Sequence, residues 1–122
     1  MDVNQLEREI TLLHERVCYA LGDPTRILML YLLGEKSACV NEIADALHLP
    51  QSTASRHLRV LRERKLVSTQ RQGTTVLYTL HDQRIIDALN TLRSILTTQL
   101  QEDANRARAL EPKNPIIIKE QP

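Results

Sequence analysis

The 122-residue sequence predicts a mainly α domain (α+β) in which one β-hairpin sits between helices. Three observations predict it. Apolar residues recur three and four apart along several segments, the spacing of one helix face. Between about Val67 and Leu80 that period gives way to two runs rich in β-branched residues. Proline and glycine fall at the joints, where they start and stop helices. An apolar share of 42% and a charged share of 25% suit a single soluble domain with a modest core.

The first helix is expected from about Asn4 to Leu21, with Leu6, Ile10, Leu13, Val17 and Leu21 on one stripe. Asn4 serves as N-cap, and Glu7 three residues later returns the bond as in a capping box. Gly22 ends this helix, and Asp23-Pro24 opens the second, which runs to about Leu33 and is stopped by Gly34. Ile27 to Leu33 are apolar nearly all round, so this helix is expected at the buried centre. A short third helix spans Val40 to about Leu47, with Val40, Ile43, Ala44 and Leu47 facing inward. Pro50 then begins a fourth helix reaching about Arg64. Ala54, Leu58 and Leu61 form its inner face, and Ser52, Ser55, Arg56 and Arg59 share another.

Val67 to Arg71 and Thr75 to Leu80 read as strands joined by a three-residue loop, Gln72-Gly73-Thr74. Asp82 caps a long fifth helix to about Glu102, carrying Ile85, Leu89, Leu92 and Leu96 on one stripe, with Ile86 and Leu100 flanking it. Residues 1–102 therefore form one domain. Residues 103–122, with Pro112, Pro115, Pro122 and the short run Ile116-Ile117-Ile118, read as a flexible C-terminal tail. Two short helices joined by a tight turn, then a hairpin, give a winged helix-turn-helix in the order α1-α2-α3-α4-β1-β2-α5.

Composition excludes several functions. There is no Trp or Phe, and Tyr19, Tyr31 and Tyr78 alone cannot build a stacking platform for single-stranded nucleic acid. Three glycines leave no Gly-rich phosphate loop. No nucleophile–base or carboxylate pair is recognisable, so no enzyme is expected. No apolar run approaches the ~18 residues needed to span a membrane, and no signal peptide is visible. A cytoplasmic protein without a membrane partner is expected, with Cys18 and Cys39 reduced, metal-binding or redox-active rather than bridged.

The net charge of +1 conceals a segregation. Residues 51–81 hold Arg56, Arg59, Arg62, Arg64, Lys65 and Arg71 against Glu63 alone, a net charge of +5. Residues 1–50 carry four basic side chains against eight acidic ones, and residues 82–122 balance. A basic patch on a near-neutral chain fits a polyanion met through one surface.

The residues also carry a resemblance. Ala20-Leu21-Gly22-Asp23-Pro24-Thr25-Arg26-Ile27, Val40-Asn41-Glu42-Ile43-Ala44 and Gln51-Ser52-Thr53-Ala54-Ser55-Arg56-His57-Leu58-Arg59-Val60-Leu61 resemble the arsenic- and zinc-sensing repressor (ArsR/SmtB) family. Leu66-Val67, the hairpin and Leu77-Tyr78-Thr79-Leu80 continue the likeness, over roughly residues 5–100. It implies a homodimeric transcriptional repressor, joined through its first and fifth helices and released from operator DNA by an effector. The stripes of those helices support a dimer independently, since so small a chain offers them no other partner. The expected interface is Leu6, Ile10, Leu13 and Val17 with Ile85, Leu89, Leu92 and Leu96.

On the expected DNA face, Ser52, Ser55 and Arg56 are the candidates for base contacts, because arginine binds guanine bidentately and hydroxyls reach base edges. Gln51 and Thr53 complete that helix start, Arg59 and Arg62 serve phosphates, and Arg71 with Thr74 forms the wing contact. For Arg62, Arg64 and Lys65 a solvated helix end, favoured by the helix dipole, weighs equally. His57 reads as a partly buried spacer.

Cys39 is expected at the N-cap of the third helix, where helix termini favour thiolate chemistry or metal binding. Cys39-Val40 resembles the start of the family's Cys-Val-Cys arsenic motif, but Asn41 replaces its second cysteine. The family's zinc site on the last helix keeps Asp82, whereas Arg84, Ile95 and Thr98 stand where its other ligands belong. Cys18 reads as a buried small apolar residue; paired with Cys39 it would make a soft-metal site or a dithiol switch, with His14 either a further ligand or, as is usual for a lone histidine on an amphipathic helix, polar surface. His48 and His81 carry no pattern. The effector is therefore a soft metal or metalloid ion such as zinc or arsenite, or an oxidant, acting at Cys39. The alternatives are a regulator with a non-metal ligand or protein partner, and an adaptor that binds no DNA.

Overall fold

The computed structural model describes residues 1–111. The readings made for Pro112, Pro115, Ile116, Ile117, Ile118 and Pro122 lie outside those residues. Its order is α1 (Val3–Leu13), a π-helical segment (His14–Cys18), α2 (Pro24–Glu35), α3 (Val40–Leu47), α4 (Gln51–Glu63), β1 (Val67–Gln72), β2 (Thr75–Leu80) and α5 (Arg84–Ala109). This is the mainly α winged helix-turn-helix that the sequence predicts. The chain divides into two units, Met1–Asp87 and the residues from Ala88 on.

The first helix starts earlier than expected. Its cap is Asp2, not Asn4: the Asp2 carboxylate accepts the backbone N–H groups of Asn4 and Gln5 at 3.0 and 3.4 Å. The Asp2 carboxylate, two residues upstream, takes the free donors of the first turn, and Asn4 and Glu7 fall inside the helix. After Leu13 the helix widens to π geometry, with the Tyr19 N–H donating to the His14 carbonyl.

In α2, Asp23 caps Thr25 at 2.8 Å and Pro24 fills the first turn, as the sequence predicts. Gly34 does not stop this helix, which continues to Glu35. It serves a close approach instead: a Cβ there would lie 3.1 Å from Ile86 Cγ1. Met29, Leu30 and Leu33 are buried, but Leu28 is exposed, so α2 is central without being covered all round. Met29, Leu30, Ile43, Leu58 and Leu61 are fully covered, each contributing about 1.5–3 kcal/mol. Ala54, Leu58 and Leu61 face this core together, one helical turn apart.

The turn between α3 and α4 is set by His48, which adopts the left-handed conformation (φ 56°). The Leu49 N–H then returns to the Ala44 carbonyl at 2.9 Å, closing the end of α3. The wing is tighter than expected. Gln72 pairs with Thr75, leaving a two-residue loop, Gly73-Thr74, instead of three. Gly73 takes φ +64° at the first loop position, the mark of a type II′ turn that matches the twist of the strands. The hairpin also gains a partner that the sequence did not reveal: Ala38 and Tyr78 exchange backbone hydrogen bonds of 3.1 and 2.8 Å.

Asp82 caps α5 through the Arg84 N–H at 2.9 Å. The helix ends at Ala109, beyond the expected Glu102, because no Gly or Pro interrupts residues 103–109.

Candidate nucleic-acid interface

Burial of Ala54, Leu58 and Leu61 turns the opposite side of α4 outward. Gln51, Ser52, Ser55, Arg56, Arg59 and Arg62 are exposed, and Thr53 is half-buried. The Thr53 hydroxyl accepts an Arg56 N–H at 3.4 Å, a loose contact that leaves the guanidinium fork open to solvent. No side chain caps the first turn of α4, so its backbone N–H groups remain for an outside acceptor. Arg71 and Thr74, at the wing, are exposed as well.

A cleft of about 380 Å³ brings several of these residues together. Gln51, Ser55 and Thr74 line it with Cys39, Asn41, Thr75 and Tyr78. The start of α4, the wing and the start of α3 thus converge on one cysteine. The Ala38–Tyr78 pairing holds Cys39 there, reinforced by the 2.8 Å hydrogen bond between the Ser37 and Thr79 hydroxyls. Cys39 is the N-cap of α3, as expected, and the Glu42 carboxylate accepts its backbone N–H at 2.9 Å. That N–H, with the neighbouring thiol, holds the Glu42 carboxyl below the usual range. Arg56, Arg59, Arg62 and Arg71 are not among the residues lining the cleft.

Cys18 departs from its reading. It is exposed at the end of the π-helical segment, not buried, because the core-facing positions of that turn are taken by Val17 and Ala20. Cys18 does not line the Cys39 cleft. Among the described residues no three His, Cys, Asp or Glu side chains gather as a metal-binding group. At the other family position, Arg84 grips Asp82 with Nη2 at 2.6 Å and Nε at 3.1 Å from both oxygens. Those hydrogen bonds hold the Asp82 carboxyl down at about 2. A cation thus occupies the surviving carboxylate.

Two basic residues of α4's surroundings are engaged within the chain. Arg64 donates to the Glu15 carbonyl at 2.6 Å and lies 4.3 Å from the centroid of the Tyr19 ring. Arg26 donates to the carbonyls of Ala20 and Tyr19, at 2.7 and 3.1 Å, and contacts His57 Nδ1 at 3.2 Å. Arginine has no acceptor, so His57 Nδ1 accepts and its proton sits on Nε2. His57 is half-buried, in line with a spacer.

Of the expected dimer residues, Ile10, Leu13, Leu92 and Leu96 are between 47 and 60% exposed. Leu6, Val17 and Ile85 are half-buried. Leu89 is already covered at 6% exposure, so it offers no free surface. Leu12, Ile95 and Leu100 are as exposed as the expected set and extend the apolar faces.

The winged helix-turn-helix fold agrees with the comparisons to known proteins. Residues 23–69 match the description "Bacterial regulatory protein, arsR family". The regulator MJ1325 of Methanocaldococcus jannaschii is 43% identical over 67 residues, which are 54% of this chain and 75% of that one. The chain belongs to the arsR family. This arsR-family chain spans about half the length of other curated relatives. Its 66 residues matching the transcriptional repressor SmtB of Mycobacterium tuberculosis, at 42% identity, are 54% of this chain and 49% of that one. Among solved structures, reduced HlyU of Vibrio cholerae superposes with a TM-score of 0.65 at 30% identity, covering 72% of this chain and 95% of that one. The homodimeric winged helix-turn-helix DNA-binding domain Mb0332 of Mycobacterium bovis gives 0.68 at 28% identity, covering 78% and 90%.

Proposed function

We propose that the protein is a homodimeric repressor that binds double-stranded operator DNA through α4 and the wing, and that an effector releases it. One observation carries this reading. The buried Ala54, Leu58 and Leu61 force Ser52, Ser55, Arg56 and Arg59 outward together, within the segment of net charge +5. Serine hydroxyls and bidentate arginine are the groups that read base edges in a major groove. Arg59, Arg62 and the wing Arg71 hold the flanking phosphates. The homodimeric DNA-binding domain of Mycobacterium bovis supports both the partner and the assembly.

Cys39 is the proposed sensing position, because it shares a cleft with Gln51, Ser55 and Thr74. An adduct on its sulfur stands between α4 and the wing, beside Gln51, Ser55 and Thr74 of the proposed DNA face. One thiol with Asn41 beside it is not a three-donor set, so a closed metal site within one protomer does not fit. A thiol-seeking metalloid or an oxidant fits better than zinc. Among relatives, a Staphylococcus aureus protein is named as a cadmium resistance regulator homologous to CadC.

The test is binding to a duplex that the wild-type protein selects from a random-sequence pool. Arg56→Ala is expected to weaken that binding by about 1–3 kcal/mol for each lost bidentate contact, with the dimer intact. Equal affinity at matched salt would show that the recognition face lies elsewhere.

A further inference from the structure

We infer that Arg64 and Tyr19 form a positioning pair that fixes the pitch of the recognition helix against the first helix, and that Arg64 makes no contact with DNA. This rests on the DNA-binding reading above. Arg64 belongs by sequence to the basic segment, yet its guanidinium is committed to groups of its own chain. It donates to the Glu15 carbonyl at 2.6 Å and lies over the Tyr19 ring at 4.3 Å.

Both of its partners come from one irregular stretch. Glu15 sits inside the π-helical segment His14–Cys18, and Tyr19 follows it directly. An i→i+5 turn takes a carbonyl out of the ordinary helical ladder, and a side chain from elsewhere then satisfies it. Arg64 supplies that donor from the residue immediately after α4. A second strut lies at mid-helix, where His57 accepts from Arg26 while Arg26 closes the carbonyls of Tyr19 and Ala20. Arg26 also approaches the Tyr19 ring, at 5.7 Å. The recognition helix is thereby tied at two points to the end of the first helix.

Geometry makes the terminal strut matter. The 13 residues of α4 are about 18 Å long, so a tilt of about 5° displaces the far end by about 1.6 Å. Hydrogen bonds to base edges lie within about 2.7–3.2 Å and do not survive such a shift. Arg64 stands at one end of this lever, Ser52 at the other, and Ser55 and Arg56 part-way along, where the shift is about 1 Å.

The experiment compares the selected duplex with an unrelated duplex of equal length, across a series of salt concentrations. Arg64→Ala is expected to lower affinity for the selected duplex about tenfold, leave the unrelated duplex unaffected and keep the salt slope of wild type. Arg64→Lys keeps the charge but cannot lie flat on a ring, so it is expected to behave like Arg64→Ala. Tyr19→Leu should reproduce the loss, Tyr19→Phe should bind like wild type, and Arg64→Ala with Tyr19→Leu should be no weaker than either alone. Circular dichroism melts establish that each variant folds. A salt slope reduced by about 0.9 for each protomer, with Arg64→Lys active, would make Arg64 a phosphate contact and overturn the inference. Wild-type affinity in Arg64→Ala or Tyr19→Leu overturns it equally. Failure of the wild-type protein to bind any duplex instead overturns the DNA-binding reading, and the inference falls with it.

Discussion

Replacing Leu96 by glutamate probes the assembly on which two-fold DNA reading depends. Leu92, Ile95, Leu96 and Leu100 are 60, 51, 53 and 58% exposed, one to two helical turns apart along α5. Full burial of such a side chain is worth about 1.5–3 kcal/mol, so covering the exposed half of Leu96 contributes about 1 kcal/mol. A two-fold interface contains the position twice, which makes the lost burial about 2 kcal/mol. Each buried, unpaired carboxylate adds at least about 1–3 kcal/mol. The sum is about 4–8 kcal/mol, a rise of at least about 10³ in the dimer dissociation constant. Light scattering at micromolar concentration should therefore show a monomer whose circular dichroism is that of wild type. Operator affinity should fall too, although Leu96 is not on the α4 face. A Leu96→Glu protein that remains dimeric at micromolar concentration would refute this use of α5.

Other outcomes follow from individual contacts. Gly34→Val puts two methyl groups beyond a Cβ that already lies 3.1 Å from Ile86 Cγ1, and should destabilise the fold by about 1–3 kcal/mol in urea titrations; an unchanged midpoint would contradict the close approach. Asp82 has its carboxyl lowered from 3.8 to about 2 by Arg84, so its contribution is present above the unfolded value and lost as pH falls through the folded one. Asp82→Asn keeps a good N-cap residue but not the charge, so its melting temperature should lie below that of wild type at pH 7 and converge with it by about pH 2; a gap that persists at acid pH would contradict the ion pair. Cys39→Ser should fold and bind DNA normally but lose release by arsenite and oxidants, while Cys18→Ser keeps it. Release retained in Cys39→Ser would place the effector elsewhere.

Much of the fold was legible because its signals are local. The repeat of Ala54, Leu58 and Leu61 defines the inner side of α4 without knowledge of the rest of the chain, and with it the outward position of Ser55 and Arg56. Val40–Leu47 could be bounded on both sides by its apolar spacing and its cap. Ends were less legible where two residues compete for one role: Asp2 outreaches Asn4 as a cap, and Gly34, a helix stop by type, is kept in α2 by its fit against Ile86.

Sequence by itself determined the element order, the buried stripes of α3 and α4 and the concentration of positive charge around α4. All depend on residues within a few positions of one another, where 3.6- and 2-residue periods are written directly. Only the tertiary structure decided which of the basic residues remain free. Arg56, Arg59 and Arg62 stay in solvent, whereas Arg64 is drawn to Glu15 and Tyr19, some 45 or more residues away in sequence. Tertiary structure also brought Ala38 to Tyr78, and so set Cys39 beside Gln51, Ser55 and Thr74. A single bridge or one long side chain has no period, and its partner is chosen only when packing brings distant backbone within reach.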